Sequence, residues 1–163
     1  MDVWVLRREG LQNDLLEIFA ALGDLQYRYD WVITDHEMWY GEACPENVKK
    51  RWQWTGLLLD GRELTEHLAA GYVRFTTGGV LSAVPLGTEE ASVCRFEPTW
   101  QVDCASPDYA FQTPFTKLEI FCFDGYAWEI VCEPTFSRTV RRCLPEAKTP
   151  EEFYAAQNAN SAG

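Results

Sequence analysis

The pair Asp124-Gly125, flanked by aromatic and β-branched residues in the run from Thr116 to Cys132 (TKLEIFCFDGYAWEIVC), constrains the fold more than any other stretch. Asp and Gly accept the positive φ angles of a type I′ turn, so the two arms are expected to fold back as antiparallel strands. A two-residue loop sets Phe121 against Trp128 and Glu119 against Ile130 on one face, with Ile120 against Glu129 on the other. On that register Glu119 and Glu129 point to opposite faces, which speaks against a close carboxylate pair of the glycosidase kind. Each is then expected to be an exposed or salt-bridged strand residue. Neither face of the hairpin is cleanly polar, which predicts a place near the middle of a sheet, covered by helices on one side and partly covered on the other.

The 163 residues suit a single domain with a core of its own, and a content of 47% hydrophobic and 24% charged residues matches an ordinary globular protein. Lys and Arg number 14 against 25 Asp and Glu, a net charge of −11 that repels polyanions. Nucleic acid and anionic membrane surfaces are therefore poor partners, and a basic protein surface is a better one. The first ten residues, MDVWVLRREG, hold an acid at position 2 and no apolar run of signal-peptide length, and no other stretch is long enough to span a bilayer. The expected location is the cytoplasm. The six cysteines include no C-x-x-C pair and are expected to be buried free thiols.

In chain order, Asp2 to Leu6 reads as a strand. Asn13 is placed to cap a helix through Ala21 or Leu22, carrying Leu15, Ile18, Phe19 and Leu22 on one face, with Gly23 as its stop. Gln26 to Thr34 alternates with the period of a half-buried strand, and Asp35 to Asn47 has no period and reads as an irregular loop, with one helical turn after Pro45. Trp52 to Leu59 suits a strand, and Asp60-Gly61-Arg62-Glu63 forms a capping box for a helix through Ala70. Tyr72 to Thr76 and Val80 to Val84 flank Thr77-Gly78-Gly79 as a second hairpin. Ala91 to Phe96 and Thr99 to Val102 are weaker strand candidates among prolines. A helix from Pro134 or Thr135 to Pro145 bears Phe136, Val140, Cys143 and Leu144 on one side and Arg138, Arg141 and Arg142 on the other. Thr149-Pro150-Glu151-Glu152 opens a last helix through about Gln157. The fold class expected is α+β, a mostly antiparallel sheet with three to four packed helices in one domain of residues 1–157, with 158–163 as a frayed tail.

The densest grouping of chemically useful residues lies between Tyr27 and Trp54. Trp31, Trp39, Tyr40 and Trp54 are interleaved there with Asp35, Glu37 and Glu42, a mixture of rings and carboxylates that grips sugars, cations or Arg-rich surfaces. Alternating strand aromatics are equally one face of a core, which is the plainer account of Trp31. Asp35-His36-Glu37 offers an imidazole beside two acids, but neighbouring residues seldom converge, and His67 stands at no metal-ligand spacing from His36. No metal and no cofactor are expected, and His67 is expected to pair locally with Glu63 one turn before it. Thr76-Thr77-Gly78-Gly79 lacks the Gly-Lys-Ser/Thr that a phosphate loop requires. The three arginines form a basic helix face on an acidic chain, read most simply as a solvated face.

These residues support two functional expectations. One is a non-catalytic binding module that uses Trp31, Asp35, His36, Glu37, Trp39, Tyr40, Glu42 and Trp54 toward a basic partner. In acidity, aromatic content and fold class the chain resembles the immunity proteins with which bacteria neutralise toxins, a likeness of general character rather than of motif. The other is a small-ligand-binding protein or hydrolase, with an aromatic pocket in which His36 and Glu37 do acid–base work.

Overall fold

Six strands form one antiparallel sheet in the computed structural model, which describes residues 1–7, 14–53, 56–93, 109–123 and 127–161. They are β1 (Asp2–Arg7), β2 (Asp30–Tyr40), β3 (Leu57–Asp60), β4 (Val73–Val84), β5 (Leu118–Phe123) and β6 (Ala127–Cys132), in the order β1-β6-β5-β4-β2-β3. The helices are α1 (Asp14–Ala21), α2 (Glu46–Trp52), α3 (Gly61–Ala69), α4 (Glu90–Val93), α5 (Pro134–Cys143) and α6 (Pro150–Ser161), with a 3-10 turn over Leu25–Arg28. The fold class is α+β as expected, with more helices than the three to four anticipated.

The β5–β6 hairpin sits in the sheet interior, between β4 and β1. Its register is not the expected one. Phe123 pairs with Ala127, Phe121 with Glu129 and Glu119 with Val131, so three residues connect the arms instead of two. One extra loop residue turns the whole of β6 over relative to β5. Glu119, Phe121, Glu129 and Val131 consequently share a face, and Ile120, Ile130, Cys122 and Trp128 share the other.

The face bearing Ile120 and Ile130 meets the helices. Leu15, Ile18 and Phe19 of α1, Leu64 of α3 and Val140 of α5 close over Trp31, Ile33, Leu81 and Leu118, all buried. Each such side chain contributes about 1.5–3 kcal/mol when withdrawn from water. The opposite face is covered in patches: Tyr109 over Val80, Phe121 and Val131; Phe153 of α6 over Val5 and Ala127; Val93 of α4 over Val32 and Val84.

The alternating run from Gln26 divides into two structures. Asp24 takes a left-handed φ of 55° and Leu25–Arg28 coils into the 3-10 turn, whose Gln26 carbonyl accepts from Trp31 Nε1 at 3.1 Å. The first turn of α3 packs against this turn so closely that a Cβ on Gly61 would lie 1.8 Å from the Gln26 oxygen. Asp60 caps α3 as its sequence predicts, its carboxylate accepting from the amides of Arg62 and Glu63 at 2.8 Å.

Strand β2 then runs through Asp35-His36-Glu37 to Tyr40, where an irregular loop was expected. Its partner β4 is likewise one strand, not a hairpin, and continues through Thr77-Gly78-Gly79. Both halves of β4 pair with β2 rather than with each other, and the register slips by a residue between Glu37 and Met38. Gly78 and Gly79, at φ 72° and 127°, supply the backbone freedom for that bend, and the Phe75 ring lies where a Gly79 side chain would be.

Three other boundaries differ from expectation. Trp52 ends α2 instead of beginning a strand, Ala91–Val93 belongs to α4, and α6 stays helical to Ser161 instead of fraying after Gln157. The candidate strand over Thr99 to Val102 lies outside the described residues.

Candidate functional site

Strand β3 pairs only with Asp30–Ile33, so among the described residues the outer part of β2 has β4 as its one strand neighbour. This outer ribbon carries most of the expected site. Before the register slip, Trp31, at 0% exposure, and Ile33 of β2 face the core. After it, Met38 and Tyr40 pack against the core and Trp39 turns to solvent, 47% exposed. The slip thereby converts one strand aromatic from core to surface.

Trp39 lies directly across from Arg74 of β4, whose guanidinium carbon sits 5.2 Å from the centre of the ring. The Arg74 Nε is buried with no hydrogen-bond partner among the described residues. Tyr40 is half-buried, and burial raises its phenol pKa, with the Cys44 thiolate adding to the rise. Glu42 is exposed, just beyond the strand end where the Gly41 amide donates to the Tyr72 carbonyl at 3.1 Å.

Of the expected site residues, Trp39, Tyr40 and Glu42 lie at the end of the ribbon, Trp39 and Glu42 toward solvent and Tyr40 against the core. Trp31 is removed from the set: it is core, held by its bond to Gln26. Asp35, His36 and Glu37 belong to the same strand by backbone, His36 against Gly78 and Glu37 against Thr77, while their side chains lie outside the described part, as does the whole of Trp54.

His67 is not free for chemistry. Its Nδ1 accepts from Trp52 Nε1 at 2.9 Å, and its Nε2 stands 4.0 Å from Glu63 Oε1, which also receives Arg51. Burial lowers the imidazole pKa, so the neutral ring with hydrogen on Nε2 fits this setting. Among the described residues no three His, Cys, Asp or Glu side chains converge as metal ligands would. Cys44 and Cys132 are buried free thiols, and the Cys132 thiol is pushed up to about 12, chiefly by burial, which disqualifies it as a nucleophile at neutral pH.

The polar feature that sequence reasoning missed is Glu119. It is neither exposed nor ion-paired among the described residues; its exposure is 0%. Oε1 accepts from Ser82 Oγ at 2.6 Å and from the Gln112 amide at 2.8 Å, and Oε2 accepts from the Tyr109 hydroxyl. Burial raises its carboxyl pKa while those donors pull it back. The carboxylate thus ties the 109–113 segment down onto the sheet, closed off from solvent and substrate alike. Nothing local in the sequence links Glu119 to Ser82, 37 positions away. No helix among the described residues is long and apolar enough to cross a membrane. Comparison of the chain with protein-family models, with curated proteins and with solved structures found no match.

Proposed function

We propose that the protein is a non-catalytic binding module that presents the outer β2–β4 ribbon to a basic protein surface, with Trp39 as its anchor. The observation that carries this reading is the cross-strand stack of Trp39 on Arg74: a large ring left half in solvent, on a paired strand that fixes its position. Trp and Arg are the side chains that dominate binding energy at interfaces, and a ring already held in place loses little entropy on docking. Arg74 is turned onto the ring face, while Glu42 and the acids of the same strand, Asp35 and Glu37, belong to a chain of net charge −11 that steers a basic partner toward it. The buried free thiols suit a reducing, cytoplasmic setting.

The test is thermal melting against a panel of basic proteins, since binding to the native state raises the midpoint by mass action. A basic protein is expected to raise it, less so at high salt, and not at all in Trp39→Ala, which alone is expected to cost only about 1 kcal/mol. The reading fails if no basic protein shifts the midpoint, or if Trp39→Ala binds as tightly as the native chain.

A further inference from the structure

At the edge opposite the β2–β4 ribbon, a groove separates β1, α5 and the start of α6. It consists of two adjoining hollows of ≈ 460 and ≈ 510 Å³ that share Trp4, Arg141 and Thr149 in their walls. Its origin is a matter of chain path. Val5 and Lys148 exchange backbone hydrogen bonds at 2.7 and 3.0 Å, so the chain leaving α5 crosses the β1 edge before α6 begins at Pro150, and a gap remains over Trp4.

The polar groups facing this gap are the cations Arg141 and Lys148, the hydroxyls of Ser137 and Thr149, and three acids. Ser137 and Arg141 are one helical turn apart on α5 and line the same side. Trp4 Nε1 donates to Ser137 Oγ at 3.0 Å, both side chains being buried, which leaves the Ser137 hydroxyl hydrogen without an acceptor among the described residues. Arg141 and Lys148 are exposed and make no ion pair among the described residues, in a chain where acids outnumber bases 25 to 14. Of the wall acids, Glu152 is turned onto its own helix and accepts from the Thr149 amide at 3.0 Å, while Asp2 and Glu151 line the outer hollow. The start of α6 is thus capped from within, and the cationic groups come from side chains of α5 and the crossing segment.

We propose that this groove binds a small molecule carrying a carboxylate or phosphate group, received by Arg141 and Lys148 with the Ser137 hydroxyl, its apolar body lying along Trp4 and Pro145. The volume is that of an ordinary small-ligand site, and the donor set suits an anion through charge-assisted hydrogen bonds. The site is independent of the ribbon and of the reading built on it.

The test is calorimetric titration at constant ionic strength with phenyl phosphate, benzoate and uncharged benzyl alcohol as probes, alongside tryptophan fluorescence. At least one anion is expected to bind saturably and benzyl alcohol not, and whichever anion binds identifies the head group. Arg141→Gln, at an exposed position that leaves the fold intact, is expected to weaken binding by about 10-fold or more. Trp4→Phe is expected to lose the fluorescence change that the binding anion produces in the native chain, which places the ligand in this groove. The proposal is overturned if neither anion binds saturably, if benzyl alcohol binds as well, or if Arg141→Gln binds like the native chain.

Discussion

Removing the Glu119 carboxylate tests the reasoning about the second face of the sheet most directly. In Glu119→Ala the Ser82 hydroxyl and the Tyr109 hydroxyl, both buried, lose the acceptor they share, and the half-buried Gln112 amide loses the bond that ties its segment down. At about 1–3 kcal/mol for each buried donor left without its acceptor, with a smaller share for Gln112, the expected loss is about 3–5 kcal/mol. For a chain of this length that lowers the melting midpoint by about 10 °C. Glu119→Gln should behave differently. Its amide oxygen can still accept from Ser82 and Gln112, and the Tyr109 hydroxyl can rotate to accept from the new NH2, so stability at pH 7 should stay within about 1 kcal/mol of native. The two forms also diverge with pH. The folded carboxyl pKa is raised above its ordinary 4.5, so the native state holds the proton more tightly than the unfolded chain. The stability this contributes is complete below pH 4.5 and is lost as pH rises through the folded value. Urea unfolding of the native protein and Glu119→Gln from about pH 4 upward should therefore show the variant gaining on the native chain as pH rises. The account is refuted if Glu119→Ala costs less than about 1 kcal/mol, if Glu119→Gln costs as much as Glu119→Ala, or if the difference between native and Glu119→Gln does not change with pH.

Three further expectations rest on other parts of the fold. Gly61→Ala sets a methyl against the Gln26 carbonyl, where 1.8 Å is available, and should destabilise by about 2–3 kcal/mol in urea unfolding even though alanine is the better helix former. His67, whose pKa burial depresses, gives a pH slope opposite to that of Glu119: its contribution is complete above the unfolded value of 6.5 and is lost as pH falls through the lowered folded value. That loss should be absent in His67→Gln, whose side-chain oxygen can still accept from Trp52. Reversing charge at Asp35, Glu37 and Glu42 together should slow association with a basic partner and weaken its salt dependence, with dissociation little changed; equal association rates in a stopped-flow assay would count against electrostatic steering.

Elements set by local chemistry are legible in the residues alone. Asp60 with Glu63 announces the start of α3, Pro134 and Pro145 bound α5, and the apolar spacing of α1 and α5 names core residues correctly, because caps, proline geometry and helical period act within a few residues. The candidate site is only partly legible: Trp39 and Tyr40 share a strand but turn to opposite sides of it, and Trp31 belongs to the core. Its strand is hidden because Asp35-His36-Glu37 has no apolar alternation of its own and is held extended by pairing with β4, a partner distant in sequence.

What the sequence by itself determined is therefore an acidic α+β chain, its hairpin at 116–132, and most of its helices. Three matters were decided only in three dimensions: whether Thr77-Gly78-Gly79 turns or bends, which face of β5 and β6 receives the two glutamates, and whether Trp39 is core or surface. The last two hinge on a register one residue wide. A turn or bulge differing by one residue costs little locally, yet it reverses every side chain beyond it, so the choice falls to whichever register buries the larger apolar surface across the whole sheet.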